Sequence, residues 1–332
     1  MLQSILFPML AGFAVFLLGM KAMEMALHRL AGPYLDSIIR RSTDTPLRGA
    51  AVGTVTTAFL QSSTAVTVIT IGMVGSGLLS FRRSLGIILG TNVGTCLTTE
   101  LIGLQIHRLG WPLLIGAAFL WFATALLDEG RGSQSGSPPG TLTHTFRYTA
   151  VAAAGFGLLL VGMTMMQSLA PAIEASPLYS WLLERAGESL WWGLAAGAIL
   201  TALVHSSAAV IAMIMGLAAT GAMPLELGVA VVLGANVGTC ATGLLAAIGS
   251  SSAGRAVALA HVALNIGGAL LFAPFIMELQ WLAALLSDQP AAQIAHAQTI
   301  FNVASSLLAL PLCYLPIWRD IRPKGNPPAI AP

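Results

Sequence analysis

Charge is scarce in this chain. Only 8% of its 332 residues are Asp, Glu, Lys or Arg, where a water-soluble domain carries about a quarter. So few charges cannot cover a surface that faces water, and lipid must be the solvent for most of the chain. The formal net charge of +2 supplies no field for nucleic acid, and the basic residues fall in loops rather than along one face. Cysteine is nearly absent: Cys96, Cys240 and Cys313 sit singly in apolar stretches, which argues against a disulfide framework or a thiolate metal cluster. No basic n-region precedes the first apolar run at 5–27, and no small-residue cleavage site follows a short hydrophobic core. That run reads as a retained span, not a signal peptide.

What is abundant is apolar length. Hydrophobic residues make up 56% of the chain, and mean hydropathy is +0.82. A transmembrane helix needs about 20 apolar residues in a row. Such runs occur at 5–27, 84–105, 111–127, 148–170, 226–249, 255–279 and 294–318. Two more apolar stretches, 49–79 and 193–223, are too long for one span and are interrupted by Gln61-Ser62-Ser63-Thr64 and His205-Ser206-Ser207. Each predicts a re-entrant helical hairpin, since non-helical backbone at membrane depth survives only against protein or a water-filled cavity. Segments 28–47 and 171–190 read as short, partly interfacial helix, 128–147 as a flexible cytoplasmic linker, and 319–332 as a cytoplasmic tail.

The chain repeats itself. His205-Ser206-Ser207 stands 144 positions after Gln61-Ser62-Ser63, and Gly234-Ala-Asn236-Val-Gly238-Thr239-Cys240 the same distance after Gly90-Thr-Asn92-Val-Gly94-Thr95-Cys96. A shift of 143 pairs Gly12 with Gly155 and Gly19 with Gly162. With both hairpins re-entrant, Arg29, Arg40, Arg41, Arg48, Arg82, Arg83, Arg131, Arg147, Arg255, Arg319, Arg322 and Lys324 share one side, against Arg108 and Arg185 on the other. The positive-inside rule then puts the N-terminus outside and the C-terminus in the cytoplasm of a cell-membrane protein. The fold expected is all-α and integral to the membrane. It has two inverted-topology repeats, 1–127 and 148–279, each with a re-entrant hairpin and a broken transmembrane helix, and an additional helix at 294–318.

Inverted repeats with broken helices are a plan for secondary transport, with sites near the midplane. The half-helices after Ser62-Ser63 and Ser206-Ser207 aim N–H groups and a positive dipole end inward, which suits an anion. The serine and threonine hydroxyls can donate to an oxyanion or offer lone pairs to a small hard cation. Glycines flanking Asn92 and Asn236 weaken their helices and are expected to free carbonyls for a cation. Thr98 and Thr242 fall three residues beyond Thr95 and Thr239, on the same helical face. Lys21 and Glu24, three apart, are expected to pair with each other, since Thr164 and Gln167 occupy the matching positions. His205 stands where the first hairpin has Gln61.

On these motifs the sequence resembles the type II sodium–phosphate cotransporter family. The duplicated Gln-Ser-Ser signature is Gln61-Ser62-Ser63-Thr64 and, altered, His205-Ser206-Ser207; the likeness continues at 90–95, 234–239 and His261-Val-Ala-Leu-Asn265. The resemblance implies inorganic phosphate carried with sodium ions and no organic cofactor. It assigns binding to Gln61, Ser62, Ser63, Thr64, Ser206 and Ser207, assisted by Asn92, Thr95, Asn236 and Thr239. His205, Thr98 and Thr242 join this candidate set from the residue reading. Which residues serve the ion and which the phosphate stays open. So does a role for a second copy of the chain, or for a soluble regulator in place of the helical domain that many bacterial relatives carry beyond the position of Pro332. Rival readings are a transporter of the same fold for another anion, a proton-coupled or exporting phosphate transporter, a channel, and a His205-Ser206 hydrolase. The hydrolase lacks a carboxylate to orient the histidine, and no enzyme is expected.

Overall fold

The computed structural model describes residues 2–104, 106–132 and 141–321. Among these every regular element is helical. The chain opens with α1 (Leu2–Ser42), the short α2 (Pro46–Leu60) and α3 (Ser63–Gly75), then α4 (Phe81–Gly103) and α5 (Gly110–Gly132). The pattern then recurs as α6 (Thr141–Gln167), α7 (Ala170–Glu174), α8 (Pro177–Glu188), α9 (Trp191–Val204), α10 (Ser207–Ala219), α11 (Leu225–Gly238), α12 (Cys240–Ala246) and α13 (Ser252–Phe272). Last come α14 (Ile276–Ala284) and α15 (Pro290–Ala309).

Among the described residues six helical stretches are long and apolar enough to cross a membrane: Phe7–Gly32, Phe81–Gly103, Thr143–Glu174, Leu225–Ala246, Ser252–Ala284 and Pro290–Tyr314. The seventh expected span corresponds to α5, whose apolar part Gly110–Leu126 falls short of that length. Side chains such as Phe119, Leu203, Ile248 and Trp281 are exposed, as a lipid-facing surface requires. The interior buries large apolar side chains such as Phe16, Ile87 and Phe301 together with polar ones, including Thr57, Thr91, Asn265 and Asn302. Three sequence expectations change. Residues 28–42 continue α1 without a break instead of forming a separate short helix. The linker is bounded closely by helix, because α5 reaches Gly132 and α6 starts at Thr141; residues 133–140, like 322–332 of the tail, lie outside the described residues.

The third change concerns the glycine motif. No break occurs at Gly90–Thr95, because α4 is continuous from Phe81 to Gly103. The glycines serve helix contact. A Cβ on Gly86, Gly90 or Gly94 would overlap the carbonyl oxygen of Pro46, Ala50 or Thr54 respectively, and one on Gly53 would overlap that of Ile87. Contact positions advance by four on both helices, so α2 and α4 run parallel with backbones almost touching. The second half repeats this: Gly234 and Gly238 lie on the carbonyls of Leu194 and Ala198, so α9 and α11 are parallel too. Small residues four apart are how membrane helices gain van der Waals contact when lipid gives no hydrophobic drive. The counterpart of α4 is interrupted only at Thr239, between α11 and α12, where the backbone stays right-handed (φ −59°, ψ −24°).

Helices α1 and α6 cross antiparallel. Gly162 lies on the Gly12 carbonyl and Gly155 on the Gly19 carbonyl. Gly12 matches Gly155, and Gly19 matches Gly162, under the sequence shift. The same two positions therefore meet each other in exchange, the signature of a self-complementary contact about a two-fold axis.

Candidate functional site

Two residues link α2 to α3, and two link α9 to α10. Gln61 ends α2 with left-handed backbone (φ 55°, ψ 27°), and His205 ends α9 in nearly the same conformation (φ 59°, ψ 23°). Among the described residues these are the only non-glycines with positive φ. A side chain in this region costs about 1–2 kcal/mol, a strain that clusters at functional sites. Ser62 and Ser206 follow in extended conformation and cap the next helices, accepting from the Ala65 and Ala209 N–H groups at 3.3 and 3.2 Å. Ser62→Ala and Ser206→Ala are each expected to cost about 1 kcal/mol of stability through the lost cap, read as a lowered melting temperature of the purified protein.

The tips meet at a central cavity of about 660 Å³. Gln61, Ser62, Ser63, Thr64, Thr95 and Thr98 of the first half line it, with His205, Ser206, Ser207, Thr239 and Thr242 of the second. The remaining wall is Val204, Ala208 and one face of α1, from Ala14 through Leu17 and Lys21 to Glu24. A second pocket of about 10 Å³ has only polar side chains on its wall: Ser63, Thr64, Thr67, Asn92, Thr95, Ser207, Asn236, Thr239, Thr242 and His261. All thirteen candidate residues from the sequence thus reach one pocket or the other. Thr67 and His261 are additional.

Hydrogen bonds sort the side chains by what they have left to offer. A backbone carbonyl only accepts, so any hydroxyl bonded to one has used its proton. Thr95 donates to Thr91 O (2.8 Å), Thr239 to Asn236 O (2.6 Å) and Thr242 to Thr239 O (2.8 Å). Thr98 donates to Gln61 Oε1 at 2.7 Å. These four threonines turn lone pairs to the cavity. Ser62 and Ser206 are the reverse: their oxygens already accept, and their protons remain. That of Ser206 meets only the weakly accepting Met20 Sδ at 3.5 Å.

Asn265 of α13 ties the halves together. Its amide NH2 donates to Asn236 O at 2.9 Å, which fixes its orientation, and its Oδ1 accepts from Asn92 Nδ2 at 2.6 Å. Asn92 must therefore turn its own Oδ1 away, as an acceptor. The Asn236 carbonyl also takes the Thr239 hydroxyl, so protein donors occupy the carbonyl expected to be open to a cation. Cys240 sits between the His261 carbonyl (3.6 Å) and the Asn265 amide (3.3 Å), as Cys96 sits between the Gln298 carbonyl (3.8 Å) and the Asn302 amide (3.4 Å). Helices α13 and α15 thus grip the two halves alike.

The halves differ where polar partners differ. Thr99 donates to Gln298 Oε1, but Gly243 stands at the position matching Thr99. His261, buried beside Gly243, has neither ring nitrogen bonded among the described residues. His205 likewise leaves the Gln61–Thr98 bond without a counterpart, and Thr242 bonds its own helix instead. Glu100 lies away from the cavity, against His296 Nδ1 at 3.0 Å and the Thr299 hydroxyl. Lys21 and Glu24 pair at 2.8 Å, as expected from their spacing, yet they also face the cavity.

Spanning helices around a solute-sized, hydroxyl-lined cavity define a multi-pass membrane protein. The chain belongs to the Na+/Pi-cotransporter family, whose model matches residues 15–168 and again 158–287. It is similar to the uncharacterized protein YqeW of Bacillus subtilis, 35% identical over 300 residues that cover 90% of this chain and 92% of that one. It is 26% identical to the "Putative inorganic phosphate export protein YjbB" of Escherichia coli over 92% of this chain, which spans about half of that protein (53%). Over 30% of the chain it is 31% identical to sodium-dependent phosphate transport protein 2A of Rattus norvegicus, covering 16% of that protein. No solved structure matches it.

Proposed function

We propose that the chain is a sodium-coupled secondary transporter of inorganic phosphate, working by alternating access between two inverted halves. The observation that carries this is the division of labour around one cavity. Donors gather at the starts of α3 and α10: backbone N–H groups, and the Ser62 and Ser206 hydroxyls. Acceptors gather on α4, α11 and α12: Thr95, Thr98, Thr239, Thr242 and Asn92 Oδ1. Donors beside a positive helix end suit phosphate. Lone pairs around a space of about 10 Å³ suit one dehydrated sodium ion, since hard cations take oxygen ligands. An anion in a low-dielectric site is costly alone. A cation bound within the same polar cluster lowers that cost, and each then favours the other's binding.

Geometry supports the inverted reading. The exchanged glycine contacts of α1 and α6 imply a two-fold axis across antiparallel helices, which for spanning helices lies in the membrane plane. Arg48 and Arg83 both approach Asp44 near the start of α2, at 3.3 and 3.7 Å, and Gly75 ends α3 beside Ser250 and Ser251. Both ends of the first hairpin then lie with basic loops, as a re-entrant hairpin in the cytoplasmic half requires. The second hairpin opens outward, the N-terminus lies outside and the C-terminus in the cytoplasm. The related phosphate export protein is compatible with this mechanism, because a secondary transporter runs in whichever direction its gradients favour.

The test is radiolabelled phosphate uptake into proteoliposomes under an imposed sodium, potassium or proton gradient. Uptake driven by sodium alone, and lost in a Ser62→Ala/Ser206→Ala double variant, is the expected result. Uptake driven only by protons overturns sodium coupling. No phosphate flux under any gradient overturns the substrate.

A further inference from the structure

Among the described residues, Lys21 and Glu24 are the only Lys, Arg, Asp or Glu on the cavity wall. As an ordinary helix-surface pair at i, i+3 they would stabilise the helix only slightly, too little to account for two ionisable groups in a span, where such groups mark function by default. Nor do they belong to the repeated scaffold. The matching residues of α6 are Thr164 and Gln167; Thr164 donates to its own helix at Leu160 O, and neither lines the cavity. One half has added a cation and an anion, side by side, to the wall of a cavity that both halves build.

Their exposures differ in a useful way. The Lys21 side chain is 65% exposed and Glu24 is 19% exposed, with Nζ to Oε2 at 2.8 Å. The ammonium is the reachable group and the carboxylate lies behind it. An oxyanion drawn to Lys21 must therefore also approach Glu24. For most anions that is a penalty. A phosphate at neutral pH keeps at least one P–OH, and a P–OH donating to a carboxylate makes a short, charge-assisted hydrogen bond. Sulfate has no proton to donate, so its oxygen lone pairs would face those of the carboxylate. A site built to accept a hydrogen bond from its ligand rejects an analogue that lacks the donor.

We propose that Lys21 and Glu24 form the selectivity point of this cavity for a protonated oxyanion: Lys21 attracts phosphate, and Glu24 accepts its P–OH proton in a hydrogen bond and repels sulfate. This rests on the reading of the cavity as a phosphate site. It adds a charged acceptor to the site, whereas the Ser62 and Ser206 hydroxyls and the helix ends donate equally well to both anions.

The test is sodium-driven phosphate uptake in proteoliposomes at fixed pH, titrated with sulfate, for wild type, Lys21→Gln, Lys21→Arg, Glu24→Gln and Glu24→Asp. Size-exclusion profiles establish that each variant is assembled. In Glu24→Gln an amide N–H can donate to sulfate, and sulfate is expected to inhibit about tenfold more strongly than in wild type. Lys21→Gln is expected to raise the half-saturating phosphate concentration about tenfold with little change in maximal rate, and Lys21→Arg to restore most of it. Should Glu24→Gln fail to assemble, Glu24→Asp gives the reading through a several-fold weaker exclusion of sulfate. Unchanged sulfate inhibition in the assembled Glu24 variant, or unchanged phosphate half-saturation in Lys21→Gln, overturns the proposal while the phosphate reading stands. Absence of phosphate uptake by the wild type removes both.

Discussion

Gly90→Val is expected to abolish the folded protein, and Gly234→Val to do the same, whereas Gly72→Ala is expected to be neutral or slightly stabilising. At Gly90 a Cβ would overlap the Ala50 carbonyl, and at Gly234 that of Leu194. These are backbone atoms, which cannot swing aside as a flexible side chain would. Relief requires α2 to move off α4, or α9 off α11, along their whole parallel contact. Overpacking a well-filled interior ordinarily costs about 1–3 kcal/mol; parting two backbones forfeits the entire interface, so the cost approaches total stability, roughly 5–15 kcal/mol. Gly72 has nothing within 4 Å of an added Cβ, and alanine favours helix by up to about 1 kcal/mol over glycine. Yield of monodisperse detergent-purified protein and its thermal melting distinguish the cases. Wild-type melting of Gly90→Val would mean that α2 and α4 are further apart than described.

Asn265→Leu is expected to stop transport and to destabilise the protein by about 1–3 kcal/mol, the cost of leaving the buried Asn92 amide without its acceptor. Asn265 is 1% exposed. Leucine matches its size but removes the acceptor for Asn92 and one of the donors to the Asn236 carbonyl. Without that tie, the Asn92 amide is free to turn its NH2 towards the small pocket in place of Oδ1, presenting a donor where a cation needs a lone pair. Loss of transport should therefore exceed what the stability change explains, and sodium protection against thermal unfolding should disappear. Asn265→Leu with wild-type sodium protection would show that the amide bridge does not set the pocket's polarity.

Much of this was written in the residue order. Low charge and long apolar runs dictate helices in lipid, because only helices or closed barrels satisfy their own backbone there. Duplication of Gln61-Ser62-Ser63 as His205-Ser206-Ser207 announced two like interruptions, since polar clusters inside apolar hairpins are costly unless they face a cavity. The alternation of small and polar residues at 90–98 and 234–242 also put Thr95, Thr98, Thr239 and Thr242 on faces that the structure brings to the cavity. Local pattern sufficed because these features repeat every three or four residues along one helix.

Other features depended on neighbours remote in sequence. The same glycines that weaken an isolated helix lie within a continuous α4, with α2 packed directly on them; only the tertiary contact decides between breaking and packing. Lys21 and Glu24 read alone as a helix pair, and only the arrival of both hairpin tips opposite α1 makes them part of a cavity wall. The orientation of Asn92 depends on Asn265, 173 residues away, and the unpartnered ring of His261 on Gly243 standing where the other half has Thr99. Hydrogen-bond polarity belongs to such pairings. The sequence by itself determined which residues were polar and where the chain turned. The tertiary structure decided which of them keep a proton to donate and which keep only a lone pair, because that is settled by the partner each one meets.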